Sequence, residues 1–212
     1  MHPANVLHPV EVRTNSTDAE AFRQVLLDEE YAAFGDLDLR TIVDCGANVG
    51  YASAFFLSHF RNARVVAIEP FASNAEQCRR NLAPYGERAS VIEGAIWNCK
   101  TRLAIEDPGG GEWAIRVRQV MNGEAGDVDG IDIPSLGLLH IDLLKIDIER
   151  SEIDLFAMNV EKWMPSVSNI AIELHGPDCA LAFARALKNY DCDLSRSGEL
   201  TICRNIRRGS VD

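Results

Sequence analysis

Hydrophobic positions in this chain follow two alternating periods from residue 41 onward. Short apolar runs that end at acidic or small residues are separated by longer segments with helical spacing. Strands that alternate with helices in this way indicate βαβ units and a parallel sheet covered on both faces. The predicted strands cover residues 41–45, 64–69, 89–94, 143–149 and 169–175, and the predicted helices cover 50–59, 72–82, 151–159 and 178–188.

The two ends of the chain depart from this repeat. After a polar lead-in, Thr17 and Asp18 are suited to cap a helix that runs to about Phe34 and covers a cleft or a sheet edge. Two short runs within 191–206, joined at Ser197-Gly198, predict an antiparallel hairpin. The five parallel strands and this hairpin predict a seven-stranded, mostly parallel sheet in one α/β domain, residues 1–212, with residues 1–40 as lead-in and covering helix.

Residues 97–130 interrupt the repeat. A strand-like run at 113–120, which begins at Trp113, is flanked by glycine-rich stretches. We interpret the segment as an inserted hairpin or loop, a position where lids and substrate-selecting loops occur, with an ordinary surface loop as the alternative. The glycines are those at 109–111 and Gly123, Gly126 and Gly130.

Charge and composition narrow the possible partners. The chain has 32 acidic and 21 basic residues and a net charge of −11. This charge opposes contact with phosphate backbones and anionic membranes, so neither nucleic acid nor membrane is a predicted partner. The 6 cysteines form no C-x-x-C pair, and no signal-peptide core or bilayer-length apolar run is present. We therefore expect a cytoplasmic protein with reduced thiols.

The loop after the first predicted strand carries the clearest chemical signal. It reads Asp44-x-Gly46-x-x-x-Gly50, with Asn48 close to the place of the middle glycine in the dinucleotide pattern G-x-G-x-x-G. Glycines let a ligand lie against the backbone where a strand turns into a helix. A carboxylate at Asp44 repels a pyrophosphate but attracts the amino group of a methionine moiety. The loop therefore favours S-adenosylmethionine over a nicotinamide dinucleotide.

A second acidic strand end supports an adenosine site. Glu69 ends the next apolar run, 69 − 50 = 19 positions after Gly50, which leaves room for one helix and a return strand. An acid at this place accepts hydrogen bonds from both ribose hydroxyls. The third run ends in small residues, so the backbone at Ala95 is expected to approach the adenine edge, with Phe71 or Ile96 packed on the ring.

The fourth and fifth predicted strands carry charged residues at their ends. Strand alternation predicts that Lys145, Asp147 and Glu149 share one side and that Glu173 and His175 share another. If the strands are neighbours, His175 or a carboxylate can act as a base while the other acids orient a substrate. Alternatively, Asp147, Glu173 and His175 hold Mg²⁺. A purely structural alternative pairs Lys145 with a carboxylate and leaves His175 to cap a turn.

Taken in order, these motifs resemble those of the FkbM family of S-adenosylmethionine-dependent methyltransferases. The resemblance spans about residues 12–203 and implies a Rossmann-like class I methyltransferase, commonly one that methylates a hydroxyl of a sugar, a polyketide or another secondary metabolite. The matching motifs are VDCGANVGY at 43–51, IEP at 68–70 with Asn74, LLKIDIE at 143–149 and IELH at 172–175.

One position departs from the family pattern. The family usually has Gly-Ala-Glu where this chain has Arg150-Ser151-Glu152. Arg150 either selects an anionic acceptor, pairs with a local acid or partly blocks the crevice, while Ser151 is suited to cap the following helix. Two other functions stay open at this point: a nucleotide-dependent oxidoreductase and a catalytically silent binding module. The acceptor, the need for a metal and the oligomeric state also stay open.

Overall fold

The computed structural model describes residues 1–106, 116–121 and 123–209. Two sheets and five α-helices organise these residues. The strands are β1 (Thr41–Cys45), β2 (Arg64–Glu69), β3 (Ala89–Glu93), β4 (Ala95–Ile96), β5 (Thr101–Glu106), β6 (Arg116–Gln119), β7 (Val128–Ile131), β8 (Leu143–Ile146), β9 (Ile170–Glu173), β10 (Tyr190–Ser197) and β11 (Leu200–Arg208). The α-helices are α1 (Asp18–Phe22), α2 (Tyr51–His59), α3 (Ala72–Leu82), α4 (Glu152–Leu155) and α5 (Pro177–Ala186).

The larger sheet has seven strands in the order β10-β11-β9-β8-β1-β2-β3. Strands β3, β2, β1, β8 and β9 are parallel, whereas β11 pairs antiparallel with both β9 and β10. This arrangement confirms the predicted seven-stranded sheet with its C-terminal hairpin. The strand order reverses next to β1, and ligands of open α/β sheets bind at such a reversal, beyond the carboxyl ends of the strands.

Both faces of this sheet are buried. Ile42 belongs to a core that also contains Phe34 and Phe56, from the N-terminal segment and α2. The next residue, Val43, belongs to the opposite core, with Trp163 and Phe183. Successive strand residues point to opposite faces, so the consecutive apolar residues Ile42 and Val43 of β1 bury one face each. Among the described residues, no helix has the length and apolar character needed to cross a bilayer.

The inserted segment forms more than the predicted hairpin. Strands β5 and β6 do pair antiparallel, but β4 and β7 join them in a second sheet of order β4-β7-β5-β6. Ala95 on β4 pairs in parallel with Gly130 on β7. This pairing joins residues far apart in sequence, so no local pattern reveals it. The predicted strand start at Trp113 and the glycines at 109–111 lie outside the described residues.

The N-terminal covering helix is not continuous, contrary to the sequence prediction. Helix α1 ends at Phe22, a π-helical turn follows at Arg23–Leu27, and Glu29 has a positive φ of 52° before a 3-10 turn at Ala32–Phe34. The break lets Tyr31 contact the Phe56 ring of α2, with the ring centroids 5.0 Å apart. Packing onto α2 therefore overrides the propensity for one long helix.

Two strands end earlier than predicted. Strand β8 ends at Ile146, which lies opposite Cys45 of β1 and Ile172 of β9. The Asp147 backbone N–H still donates to the Cys45 oxygen, but no residue pair of the ladder follows Ile146, and the chain turns sharply at Glu149, with a φ of 48°. Strand β9 likewise ends at Glu173, before His175. The prediction that strand alternation orients Asp147, Glu149 and His175 was therefore wrong, because loops carry these residues.

The helix predicted at 151–159 is also shorter in the structure. Only Glu152–Leu155 is α-helical, and Asn159 has a positive φ of 64° before a 3-10 turn at Val160–Lys162. Ser151 occupies the N-cap position, but its side chain makes no capping hydrogen bond. The predicted capping role of Ser151 was therefore wrong, although the helix does begin after this residue.

Candidate active site

A cavity of about 420 Å³ lies at the carboxyl ends of β1, β2, β8 and β9. Its volume is within the range of small-molecule and cofactor sites. All the residues predicted to act in catalysis line it, together with most of those predicted to bind the cofactor. These residues are Asp147, Glu149, Glu173 and His175 at one end, and Gly46, Asn48, Glu69, Phe71 and Ala95 at the other. The cavity wall formed by the described residues does not include Asp44 or Gly50.

Glu69 lies at the tip of β2, at the end of the cavity away from β9. Its Oε2 accepts a hydrogen bond from the Asn48 backbone N–H at 2.8 Å, and its Oε1 accepts one from the Phe71 N–H at 3.0 Å. The side chain is therefore fixed, and only 4% of the residue is exposed. Burial raises the pKa of Glu69 to about 7, although both backbone N–H groups oppose this shift.

Gly46 is required for a close backbone approach. Its φ is +76°, and a Cβ at this position would lie 1.7 Å from the backbone oxygen of Asp147. The glycine therefore lets the loops after β1 and β8 lie against each other at the cavity. Gly50 serves a different purpose, because a Cβ there would lie 2.8 Å from Cys78 Sγ on α3. It packs two helices closely and has no place in the cavity wall.

Asp44 and Lys145 form a buried ion pair behind the cavity. Lys145 Nζ lies 3.1 Å from Asp44 Oδ1 and donates a hydrogen bond of 2.6 Å to the Gly46 carbonyl oxygen, while Ser53 Oγ donates to Asp44 Oδ2 at 2.7 Å. Burial lowers the pKa of Lys145, but the charges of Asp44 and Asp147 outweigh it and hold that pKa well above its ordinary value. This pair confirms the alternative in which Lys145 has a structural role and pairs with a carboxylate. Asp44 is completely buried and lies outside the cavity wall, so its predicted role as a cofactor contact gains no support from this placement.

His175 lies at the centre of the acidic end of the cavity. Its Nδ1 is 2.9 Å from Glu152 Oε1, and Glu152 is completely buried. Its Nε2 faces three further carboxylate oxygens, at 3.7 Å from Asp147 Oδ1, 3.5 Å from Glu149 Oε2 and 3.5 Å from Glu173 Oε1. The loops therefore bring together the polar residues predicted from the sequence and add Glu152 behind them.

The mutual charges in this cluster shift its pKa values. Burial lowers the pKa of His175, but the hydrogen bond to Glu152 and the charges of Glu152, Glu149 and Asp147 raise it to about 9. Burial, reinforced by the charge of Asp147, raises the pKa of Glu149 and that of Glu173 to about 7, against the opposing charge of His175. Perturbed groups that converge in a cavity are typical of functional sites.

Arg150 does not face the cavity. Its exposed guanidinium Nη1 donates a hydrogen bond of 3.0 Å to the His175 backbone oxygen. The backbone of Arg150 has a φ of 72°, in the left-handed region that favours glycine. This conformation accounts for the glycine that the family pattern has at this position. None of the three predicted effects of Arg150 on an acceptor is supported by this placement.

We expect Arg150→Gly to stabilise the protein by about 1 kcal/mol relative to Arg150→Ala, because only glycine adopts a left-handed backbone without strain. Both variants remove the guanidinium and its hydrogen bond, so their difference isolates the backbone effect. Urea unfolding provides the free energies. Equal stability of the two variants would contradict a strained backbone at this position.

Several lining residues were not predicted from the sequence. Glu20, Ala21 and Gln24, from α1 and the turn after it, cover the cavity. The segment is tied down where Arg13 donates to Asp18 Oδ1 at 2.7 Å and to Asn74 Oδ1 at 2.9 Å. Apolar spacing marked this segment as a cover but did not show which side chains face inward. Further unpredicted lining residues come from the second sheet, the start of α4 and the terminal hairpin: Arg116, Val117, Ser151 and Glu199.

A seven-stranded sheet of this order, with a cavity at the strand ends, is the Rossmann-like fold of class I methyltransferases. The methyltransferase FkbM domain matches residues 44–189, which is more than half of the chain. The chain therefore belongs to the FkbM methyltransferase family. This membership implies S-adenosylmethionine as the methyl donor, and with the fold it argues against the oxidoreductase alternative.

The individual relatives and solved structures that resemble this chain have low sequence identity to it. The chain is 26% identical over 197 residues to the AMB antimetabolite synthetase AmbE of Pseudomonas aeruginosa, with 73% of this chain and 9% of that protein covered. The methyltransferase FkbM of Methylobacillus flagellatus has a TM-score of 0.54 at 18% identity, over 78% of this chain and 44% of that one. Mitomycin 7-O-methyltransferase MmcR has a TM-score of 0.50 at 15% identity, over 91% and 56%. The chain thus spans a small part of AmbE and less than half of the Methylobacillus protein.

Proposed function

We propose that the protein transfers a methyl group from S-adenosylmethionine to a hydroxyl group of a small molecule, such as a sugar, a polyketide or another secondary metabolite. One observation carries the proposal: a single cavity joins the fixed carboxylate of Glu69 to the cluster around His175. The Glu69 carboxylate suits an adenosine, and the cluster around His175 suits a group that must lose a proton. Family membership supports the transfer, and the cluster supports a hydroxyl as its target.

The cofactor end of the cavity fits an adenosine moiety. Glu69 is held by two backbone N–H groups and by a side-chain hydrogen bond from Asn74, and its remaining acceptor capacity is available to ribose hydroxyls. Gly46 leaves the loop after β1 without a side chain at this point, while Phe71 and Ala95 provide an apolar wall for the adenine ring. When bound, S-adenosylmethionine supplies an electrophilic methyl group. Asp44 and Lys145 contribute indirectly, because their ion pair and the hydrogen bond to the Gly46 oxygen fix this loop.

The opposite end of the cavity receives the acceptor. An aliphatic hydroxyl has a pKa close to that of water, about 16, and is a poor nucleophile while it keeps its proton. The acceptor hydroxyl therefore needs a group that takes this proton. Asp147, Glu149, Glu173 and the Nε2 of His175 surround the space where such a hydroxyl can bind. Glu152 acts as a positioning residue, because it holds Nδ1 and thereby turns Nε2 toward the cavity. Holding the hydroxyl in line with the methyl donor supplies much of the rate acceleration.

The proposal is tested by incubating the full chain with isotopically methyl-labelled S-adenosylmethionine and a panel of sugars and hydroxylated metabolites. Mass spectrometry and NMR then show whether a product carries the label as an O-methyl group. Glu173→Gln should bind S-adenosylhomocysteine normally but lose most of the transfer. Label on carbon or nitrogen instead of oxygen would contradict the proposal. NADH binding without S-adenosylhomocysteine binding would favour the oxidoreductase, and absence of transfer in the whole panel would favour a silent binding module.

Cofactor binding should depend on pH through Glu69. The pKa of this buried carboxyl is about 7 in the free protein, and the ionised form is the better acceptor for two ribose hydroxyls. Binding should therefore release protons, and S-adenosylhomocysteine should bind about tenfold more weakly at pH 6 than at pH 8. Calorimetry in buffers of different ionisation enthalpy measures both effects. Glu69→Gln should bind weakly and without this dependence; the same dependence in the variant would assign it to another group.

A further inference from the structure

The imidazole of His175 meets carboxylates on both of its nitrogens. The Nδ1 is bonded to the buried Glu152, so a ring that gives up one proton on binding a metal keeps its other hydrogen there and presents a lone pair at Nε2. The Nε2 faces oxygens of Asp147, Glu149 and Glu173 at 3.5 to 3.7 Å. Such distances exceed the usual length of a hydrogen bond, about 2.7 to 3.2 Å. The negative atoms therefore surround a point that a cation would stabilise.

We propose that Asp147, Glu149 and His175 bind one first-row divalent transition-metal cation such as Mn²⁺, with Glu173 within reach as a fourth ligand. One ligand atom from each of the first three residues lies within 4.8 Å of the others. Ligands about 2.1 Å from an octahedral metal lie about 3.0 Å apart when adjacent, so small side-chain rotations close the site. The cation would also lower the pKa of an acceptor hydroxyl bound to it.

A buried hydroxyl beside the cluster provides independent support. Ser151 lines the same cavity and is 2% exposed, and its Oγ has no hydrogen-bond partner among the described residues. A buried hydroxyl without a partner is costly in free energy unless a ligand or an ordered water completes it. A rotation of the Ser151 side chain toward the cavity would let a water or an acceptor oxygen held by the cation supply this partner.

The donor set favours a transition metal over Mg²⁺. Imidazole is a common ligand of first-row transition metals, whereas Mg²⁺ prefers an octahedron of oxygens and keeps several waters. The buried carboxylate of Glu152 behind Nδ1 completes a carboxylate–histidine–metal arrangement, which orients the ring and makes it a stronger ligand. We therefore replace the Mg²⁺ suggested by the sequence with a first-row transition-metal cation. Glu149 also takes the place of Glu173 in the group of three ligand residues.

The test uses the full chain after treatment with a chelator, titrated with Mn²⁺ and followed by electron paramagnetic resonance. We expect one Mn²⁺ per chain, displaced by Mg²⁺ only at about 100-fold higher concentration. His175→Ala and Glu149→Gln should each weaken binding at least about 100-fold. Glu152→Gln should weaken it about 10-fold, as expected for a residue that orients a metal ligand. Circular dichroism and S-adenosylhomocysteine binding report whether each variant folds.

Glu199→Gln is the matched control, because Glu199 lines the cavity without belonging to the ligand cluster. Its affinity for Mn²⁺ should stay within about twofold of the parent. Equal loss in this variant and in Glu149→Gln would overturn the proposal in favour of a general acidic field, and so would an unmodified chain that binds Mn²⁺ no better than His175→Ala. The inference deepens the proposed function but fails separately from it: Mn²⁺ binding without S-adenosylhomocysteine binding would contradict only the proposed function.

Discussion

Glu69→Ala is expected to weaken S-adenosylhomocysteine binding by at least about 100-fold. The variant removes a carboxylate that would accept two ribose hydroxyls, and a hydrogen bond to a charged group contributes about 1.5 to 3 kcal/mol. It also frees the backbone N–H groups of Asn48 and Phe71, which Glu69 now holds beside the cavity. Isothermal titration calorimetry with the full chain measures the change in affinity.

Glu93→Ala is a matched control for this experiment. Glu93 lies opposite Glu69 in the register of β2 and β3, but it is exposed and paired with Arg79. We expect its effect on affinity to be less than about twofold. Thermal unfolding shows whether Glu69→Ala keeps its fold. Undiminished binding by a folded Glu69→Ala would mean that the ribose lies elsewhere and that the cofactor end is misassigned.

Lys145→Met is expected to lower the free energy of unfolding by about 3 to 5 kcal/mol, the usual cost of leaving one charge of a buried ion pair without its partner. Asp44 is fully buried and would keep only the hydrogen bond from Ser53 Oγ. The loop would also lose the hydrogen bond from Lys145 Nζ to the Gly46 oxygen. Cofactor affinity should fall as well, because this loop forms one wall of the cavity. Urea unfolding provides the free energy.

Two further variants separate the buried charge from the lost side chain. The double variant Lys145→Met with Asp44→Asn removes the uncompensated charge and should recover a substantial part of the stability. Arg102→Met breaks the exposed pair with Asp129, which has a distance of 2.7 Å, and should cost about 1 kcal/mol or less. Equal losses of unfolding free energy for Lys145→Met and Arg102→Met would show that the buried ion pair contributes no more to stability than the exposed one.

The regular part of the fold was predictable because its signals are local. Apolar runs that end at Cys45 and Glu69 gave strands at the observed places, and the predicted helix at 72–82 matches α3. The hairpin about Ser197-Gly198 was also correct. In each case burial and turn chemistry are encoded within a few neighbouring residues.

The errors occurred where distant residues decide the conformation. The pairing of Ala95 with Gly130 makes the second sheet, although its partners are separated by an irregular insertion. The ends of β8 and β9 depend on where their neighbours stop, which placed Asp147 and His175 on loops. Packing against Phe56 broke the N-terminal helix at a place where its own spacing continued.

By itself, the sequence determined the family, the parallel sheet and nine of the residues that line one cavity, because glycines, strand-ending acids and apolar runs are short-range features. Only the tertiary structure decided what each acid does. Asp44 turns away from the cavity to neutralise a buried lysine, whereas Glu152 reaches the imidazole of His175. These roles depend on burial and on distances between separate loops. Carboxylates that look alike in sequence acquire different functions because folding gives each one different neighbours.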